Sequence, residues 1–177
     1  MQRRLKVFVG GILVGCILCS HTTALAHDQG DHQDPIVEDY GIPEEIKSYC
    51  DEIGAEFDIC PELLEAIAWH ESRFIPDVKN KNCFGLCQVN IKIHSDRLDK
   101  YGYSQEDMLT AYANIQIAAD YLFELFSTYG DDDAIILLLY SGAGSKAIEK
   151  YKEFCTIPEY VDEILTLSAF YERLHGK

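Results

Sequence analysis

Residues 61–88, PELLEAIAWHESRFIPDVKNKNCFGLCQ, decide how the rest of the chain is read. Pro61 suits the first position of a helix, where its missing N–H would have had no partner anyway. Leu64, Ile67 and Ala68 then recur at helical spacing and mark the face that turns inward. The next residue on that face is Glu71, four after Ile67 and three after Ala68. Burial there disfavours a charged carboxylate, so its pKa should rise, which is how a Glu becomes a general acid near neutral pH. Periodicity alone favours a plainer reading, a Glu at the edge of the stripe, solvated or paired with Arg73 or Lys79.

The chain has 177 residues and 47% hydrophobic content, the make-up of one ordinary domain with a short extra segment. That is enough to bury a core without help from a metal or a disulfide. The formal charge is −15. Arg3, Arg4 and Lys6 stand in the first 26 residues, which hold no acid, and all 30 acidic residues follow. Nucleic acid is excluded as a partner, because phosphate binding needs a basic footprint, and an anionic membrane surface is disfavoured for the same reason.

Residues 1–26 read as an export signal: a basic start, MQRRLK, an apolar run, VFVGGILVGCILC, and a small-x-small cleavage site at Ala24-Leu25-Ala26. A second reading takes Leu13-Val14-Gly15-Cys16 as a lipobox that would leave Cys16 lipidated. Cleavage after Ala26 is preferred, because the apolar run continues through Ile17 and Leu18 past the other cut. Both readings put the mature chain outside the cytoplasm. Residues 27–42 are polar and acidic and read as a flexible linker, and residues 43–177 as the folded domain. Export permits disulfides among Cys50, Cys60, Cys83, Cys87 and Cys155. Five is odd, and spacing does not fix any pairing. Cys83 and Cys87 lack partners at zinc spacing, so no metal or other cofactor is expected.

The domain reads as mainly α. A first helix starts at Pro43 and buries Ile46, Tyr49, Cys50, Ile53 and Phe57. After the Glu71 helix comes a loop to Phe84, then a short apolar segment, with any β structure confined to a very short piece near residues 86–91. A short helix from His94 ends near Gly102, and Ser104–Asp107 resembles a capping box opening another. Ile115, Ala118, Leu122, Leu125, Phe126 and Tyr129 mark one face of a long helix ending at Gly130. Asp131–Asp133 favour the start of the next, Ala134–Tyr140, which is apolar nearly all round and is expected to be the central, most buried one. A shorter helix reaches Phe154, and a final one starts at Ile157-Pro158 with Val161, Ile164, Leu165, Ala169 and Leu174 inward.

Several spaced segments now coincide: Ile67–Phe74 with Pro76, Phe84-Gly85-Leu86-Cys87-Gln88-Val89, Ala113-Asn114-Ile115 with Tyr121-Leu122, Leu139–Gly144, and Ile157–Val161. In order and spacing they resemble the soluble lytic transglycosylase (SLT) family, goose-type-lysozyme-like enzymes of bacterial cell-wall metabolism, from about Pro43 to Leu174. The family's Glu-Ser pair falls on Glu71-Ser72, its Gly-Leu-Met-Gln on Gly85-Leu86-Cys87-Gln88, and its Asn-Ile on Asn114-Ile115. Its Ala-Tyr-Asn falls on Leu139-Tyr140-Ser141 and its late Tyr-Val on Tyr160-Val161. Cys87 replaces the usual Met. Ser141 replaces the Asn that helps orient the sugar's acetamido group, and a hydroxyl makes fewer hydrogen bonds than an amide.

The resemblance implies a lysozyme-like helical domain that cuts the β-1,4 bond between N-acetylmuramic acid and N-acetylglucosamine in peptidoglycan. Glu71 would be its sole acid/base, with Ser72, Gln88, Tyr140, Ser141 and Tyr160 at the substrate. Ordinary glycosidases need a second carboxylate about 5–10 Å from the acid. None is found in a comparable apolar setting, since Asp77 lies in a charged loop and Asp131–Asp133 start a helix. The family dispenses with it by using the substrate's own acetamido group and 6-hydroxyl, leaving a 1,6-anhydro sugar. Family members of this size also imply a cell-envelope secretion or conjugation apparatus as partner. Two alternatives stay open, a hydrolytic muramidase and a glycan-binding protein on the same fold.

Overall fold

The computed structural model describes residues 41–177; the expected leader, the Cys16 lipidation site and nearly all of the linker lie outside them. Among the described residues, seven α-helices carry the fold. They are α1 (Glu44–Phe57), α2 (Pro61–Ser72), α3 (Ser95–Tyr101), α4 (Ala111–Tyr129), α5 (Asp133–Tyr140), α6 (Ser145–Phe154) and α7 (Glu159–Leu174). Between α2 and α3 lies an antiparallel sheet of three two-residue strands, β1 (Lys79–Asn80), β2 (Cys83–Phe84) and β3 (Val89–Asn90). Lys79 pairs with Phe84 and Asn80 with Cys83; Cys83 pairs in turn with Asn90, and Phe84 with Val89. The mainly helical expectation holds, but the β structure starts earlier than residue 86 and takes in part of the segment read as loop.

α2 packs between α1 and α7, and α4 lies against α1 and α5. These two helices form the centre. Every residue of α2 from Pro61 to Ala68 is buried, as is every residue of α4 from Ala113 to Asp120. The expectation that α5 is the most buried helix is therefore corrected. Its Ile135, Leu139 and Tyr140 are only half-buried, because it packs along the side of α4 with α6 and α7 beside it. Two ends of the inferred stripes also fail. Tyr129 and Leu174 are 55% and 61% exposed, where α4 and α7 run past the elements that cover them. On α7 the buried row is Val161, Ile164, Leu167, Ser168 and Tyr171.

Local signals explain most boundaries. Asp132 caps α5 by accepting the Ile135 N–H at 3.1 Å. Ser104 and Asp107 do exchange hydrogen bonds, Asp107 accepting the Ser104 N–H at 2.7 Å and Ser104 accepting the Asp107 N–H at 3.3 Å. The box, however, opens a single 3₁₀ turn (Glu106–Leu109), and α4 starts after it.

Two acids lie in the core. Glu62 and Glu65 of α2 are fully buried. Glu62 accepts from Lys177 Nζ at 2.7 Å and lies 2.9 Å from His175 Nδ1, and the Cys60 thiol donates to it at 3.0 Å. Burial pushes the Glu62 carboxyl up, but these partners outweigh it and hold the group at about 2. Glu65 has no hydrogen-bond partner for either oxygen, and burial with the neighbouring Glu62 charge lifts it to about 8. All five cysteines among the described residues are free thiols, Cys50 and Cys87 buried and Cys155 exposed.

Candidate active site

Glu71 sits in the last turn of α2, and the helix ends right after it. Arg73 and Phe74 both take left-handed backbone, with φ of 55° and 60°, so the chain swings away from the helix axis. Both partners of the plain reading are occupied elsewhere. The Arg73 guanidinium lies 3.5 Å from the Trp69 ring centre and donates to the Trp69 carbonyl at 2.8 Å, and Lys79 lies 5.4 Å over the Phe84 ring. Instead, the Tyr160 hydroxyl of α7 donates to Glu71 Oε1 at 2.8 Å. Burial raises the Glu71 pKa, and the Tyr160 hydrogen bond and the nearby His70 pull it back only in part. His70 packs edge-on against Tyr160 with ring centres 4.8 Å apart, and its Nε2 lies 2.9 Å from Glu163.

Opposite Glu71 runs the turn from Gly85 to Gln88, fixed by one side chain of α4. The fully buried Asn114 donates to the carbonyls of Phe84 (2.7 Å) and Met108 (2.8 Å) and accepts the Cys87 N–H at 2.8 Å. The turn needs glycine at Gly85, where φ is 75°. A Cβ there would meet the Met108 carbonyl oxygen at 2.1 Å and Asn114 Nδ2 at 2.3 Å. Gln88 also adopts a positive φ, 48°, and its amide donates to the Gly85 carbonyl at 2.9 Å. From α5, the Tyr140 hydroxyl donates to the Cys87 carbonyl at 2.9 Å.

These elements enclose an open cleft of about 280 Å³. Glu71, Gln88, Tyr140 and Ser141 line it. Ser72 does not; it is buried and donates to the Ala68 carbonyl at 2.9 Å. Tyr160 stands behind Glu71, outside the lining. Ser141 turns its hydroxyl onto the Leu138 carbonyl at 2.8 Å. Among the described residues lining the cleft, Glu71 is the sole carboxylate, and the buried Glu62 and Glu65 are not in the lining.

Periodicity and motif spacing gave no site role to His94, Tyr121 or Asn114. His94 and Tyr121 line the cleft with ring centres 4.5 Å apart. Burial and the adjacent Arg97 push His94 down to about 4, so the ring is neutral. Tyr121 and Asn114 belonged to the segments that carry the resemblance, which was the available signal; a lone His at the start of a short helix offered none.

Helices packed about α2 and α4, with a small sheet beside them and a cleft over the end of α2, define a lysozyme-like lytic transglycosylase fold. The lytic transglycosylase Slt of Pseudomonas aeruginosa, solved as an inactive mutant, superposes with a TM-score of 0.64 over 73% of this chain and 24% of its own, at 16% identity. The family model for the transglycosylase SLT domain matches residues 48–155, and the chain belongs to that family. Protein IpgF of Shigella flexneri is 34% identical over 96 residues, half of this chain; the match spans 62% of IpgF.

Proposed function

We propose that this protein is a peptidoglycan lytic transglycosylase that cuts between N-acetylmuramic acid and N-acetylglucosamine. Glu71 starts protonated and gives its proton to the glycosidic oxygen as the C1–O bond breaks. The acetamido oxygen of the muramyl residue bonds to C1 in its place. The Glu71 carboxylate then takes the proton of the C6 hydroxyl, whose oxygen displaces the acetamido oxygen from C1. The product is a 1,6-anhydromuramyl end, with Glu71 reprotonated and no water consumed. Ser72, Gln88, Tyr140, Ser141 and Tyr160 are proposed to act around it, Tyr160 by holding the carboxyl and Tyr140 and Gln88 by fixing the turn across the cleft. The enzyme is proposed to be exported, by cleavage after Ala26, and to open the wall for a cell-envelope secretion or conjugation apparatus.

The observation that carries this reading is a single cleft carboxylate raised by burial and held by one tyrosine. A general acid needs that raised pKa, and the missing second carboxylate argues against the two-acid routes of ordinary glycosidases. The test is mass spectrometry of purified peptidoglycan after digestion. Anhydro ends, lighter by one water than reducing ends, are expected. Reducing ends would make the protein a muramidase, and binding without any cut would make it a glycan-binding protein.

A further inference from the structure

The small sheet places three side chains on the side that faces the cleft. Residues directly paired across an antiparallel ladder share a face. The register Asn80–Cys83–Asn90 therefore forms one row, and all three residues line the cleft. Of the other row, Lys79–Phe84–Val89, Lys79 and Phe84 stay out of the lining, Lys79 lying over the buried Phe84, and only the buried Val89 reaches it.

Most polar groups lining the cleft are already committed. The hydroxyls of Tyr140, Ser141 and Tyr121 donate to the carbonyls of Cys87, Leu138 and Leu139, and the Gln88 amide donates to those of Gly85 and Val78. Asn90 differs. Its Oδ1 accepts the backbone N–H groups of Lys92 at 3.1 Å and Ile93 at 3.3 Å. Flipping the amide would lose both bonds, so the orientation is fixed and the NH₂ remains as an uncommitted donor. Asn80, in the same row on β1, makes no side-chain hydrogen bond among the described residues. A 2-acetamido carbonyl is an acceptor that needs such a donor, and Ser141 has already given its proton to Leu138.

We propose that Asn80 and Asn90 are specificity-determining residues of this cleft, donating through their side-chain amides to the 2-acetamido carbonyl of a bound N-acetylhexosamine. Asn90 is the rigid donor and Asn80 the adaptable one. The assignment rests on the glycan reading of the cleft but not on the outcome of the bond cleavage.

The test is calorimetric binding of N-acetylglucosamine tetrasaccharide and of cellotetraose, its counterpart without acetamido groups, to a Glu71→Gln chain that does not turn over. The N-acetylated sugar should bind tighter. Adding Asn90→Asp keeps an acceptor for Lys92 and Ile93 and removes the donor. It should weaken the N-acetylated sugar about tenfold, the worth of one good hydrogen bond, and leave cellotetraose unchanged. Asn80→Ala should do the same to a smaller degree. In the Glu71→Gln chain with native asparagines, the ¹⁵N–¹H signal of the Asn90 amide should shift on adding the N-acetylated sugar and not cellotetraose. An unchanged ratio of the two affinities in Asn90→Asp, an unmoved amide signal, or binding of neither sugar overturns the proposal. Product analysis is independent: reducing ends with intact discrimination would overturn the lytic reading and leave this one standing.

Discussion

The Tyr160 hydroxyl reaches Glu71 across 89 residues of sequence and closes on its carboxyl at 2.8 Å, tying the first turn of α7 to the last turn of α2. The bond stabilises the charged carboxyl, while burial acts against it. Tyr160 itself is pushed up, first by burial and then by the Glu71 charge, so it stays a donor throughout the ordinary pH range. Glu71→Gln should lower the rate of wall digestion by at least about 100-fold, the usual worth of a general acid or base. Turbidity loss of a peptidoglycan suspension, with circular dichroism to show the fold intact, measures it.

Tyr160→Phe tests the electrostatics. Removing a hydrogen bond that favours the charged form raises the Glu71 pKa further. In the proposed mechanism the first step needs the protonated carboxyl, so activity should fall as pH rises through that pKa. The alkaline limb of the pH–rate profile should accordingly move to higher pH in Tyr160→Phe. A limb that stays in place would assign it to another group.

Glu65→Gln concerns stability. A folded-state value of about 8 against an ordinary 4.5 means the folded chain binds the proton more tightly than the unfolded one. Stability from this group is therefore full below pH 4.5 and lost as pH climbs through about 8. The neutral Gln should remove that loss and raise Tm at pH 8 by at least about 4 °C, with a smaller change at pH 4. Glu62 slopes the other way, since its value of about 2 makes its contribution fade as pH falls through that value. Thermal melts across pH separate the two.

Gly85→Ala combines a strained φ with a Cβ 2.1 Å from the Met108 carbonyl oxygen and should cost at least about 3 kcal/mol. Asn114→Leu leaves the Cys87 N–H and the carbonyls of Phe84 and Met108 without partners and should cost a similar amount. Urea denaturation of the two variants gives the values.

The helices were legible because buried stripes repeat, as on α1 with Ile46, Cys50, Ile53 and Phe57. Periodicity put Glu71 on the inward face of α2 but alone favoured a solvated or ion-paired carboxylate, whereas the structure buries most of it against Tyr160. Of the strands, β3 falls in the short piece expected near residues 86–91, while β1 and β2 were missed, since two residues carry no period. Apolar content misled at α5, because it measures what side chains can lose to burial, not which elements surround a helix. The most enclosed helices are those with polar residues deep inside, Glu62 and Glu65 on α2 and Asn114, Gln116 and Asp120 on α4. The burial of Glu62 and Glu65 depends on α7 and the residues after it folding back over α2, a long-range fact that local periodicity does not hold. Around the cleft, motif order located Gln88, Tyr140 and Ser141, yet where their protons go is a matter of three-dimensional distance.

Asn114 also sets when the turn around Gly85–Gln88 can come apart. Its amide joins the turn to the middle of α4 through bonds on both sides of Gly85, in a part of the protein closed to solvent. The turn cannot fray as an ordinary surface loop does; releasing the Cys87 N–H means breaking into the centre of the domain. Exchange of that amide with deuterated solvent should therefore proceed only by global opening and report the full free energy of unfolding. One wall of the cleft then has no native state looser than the protein itself.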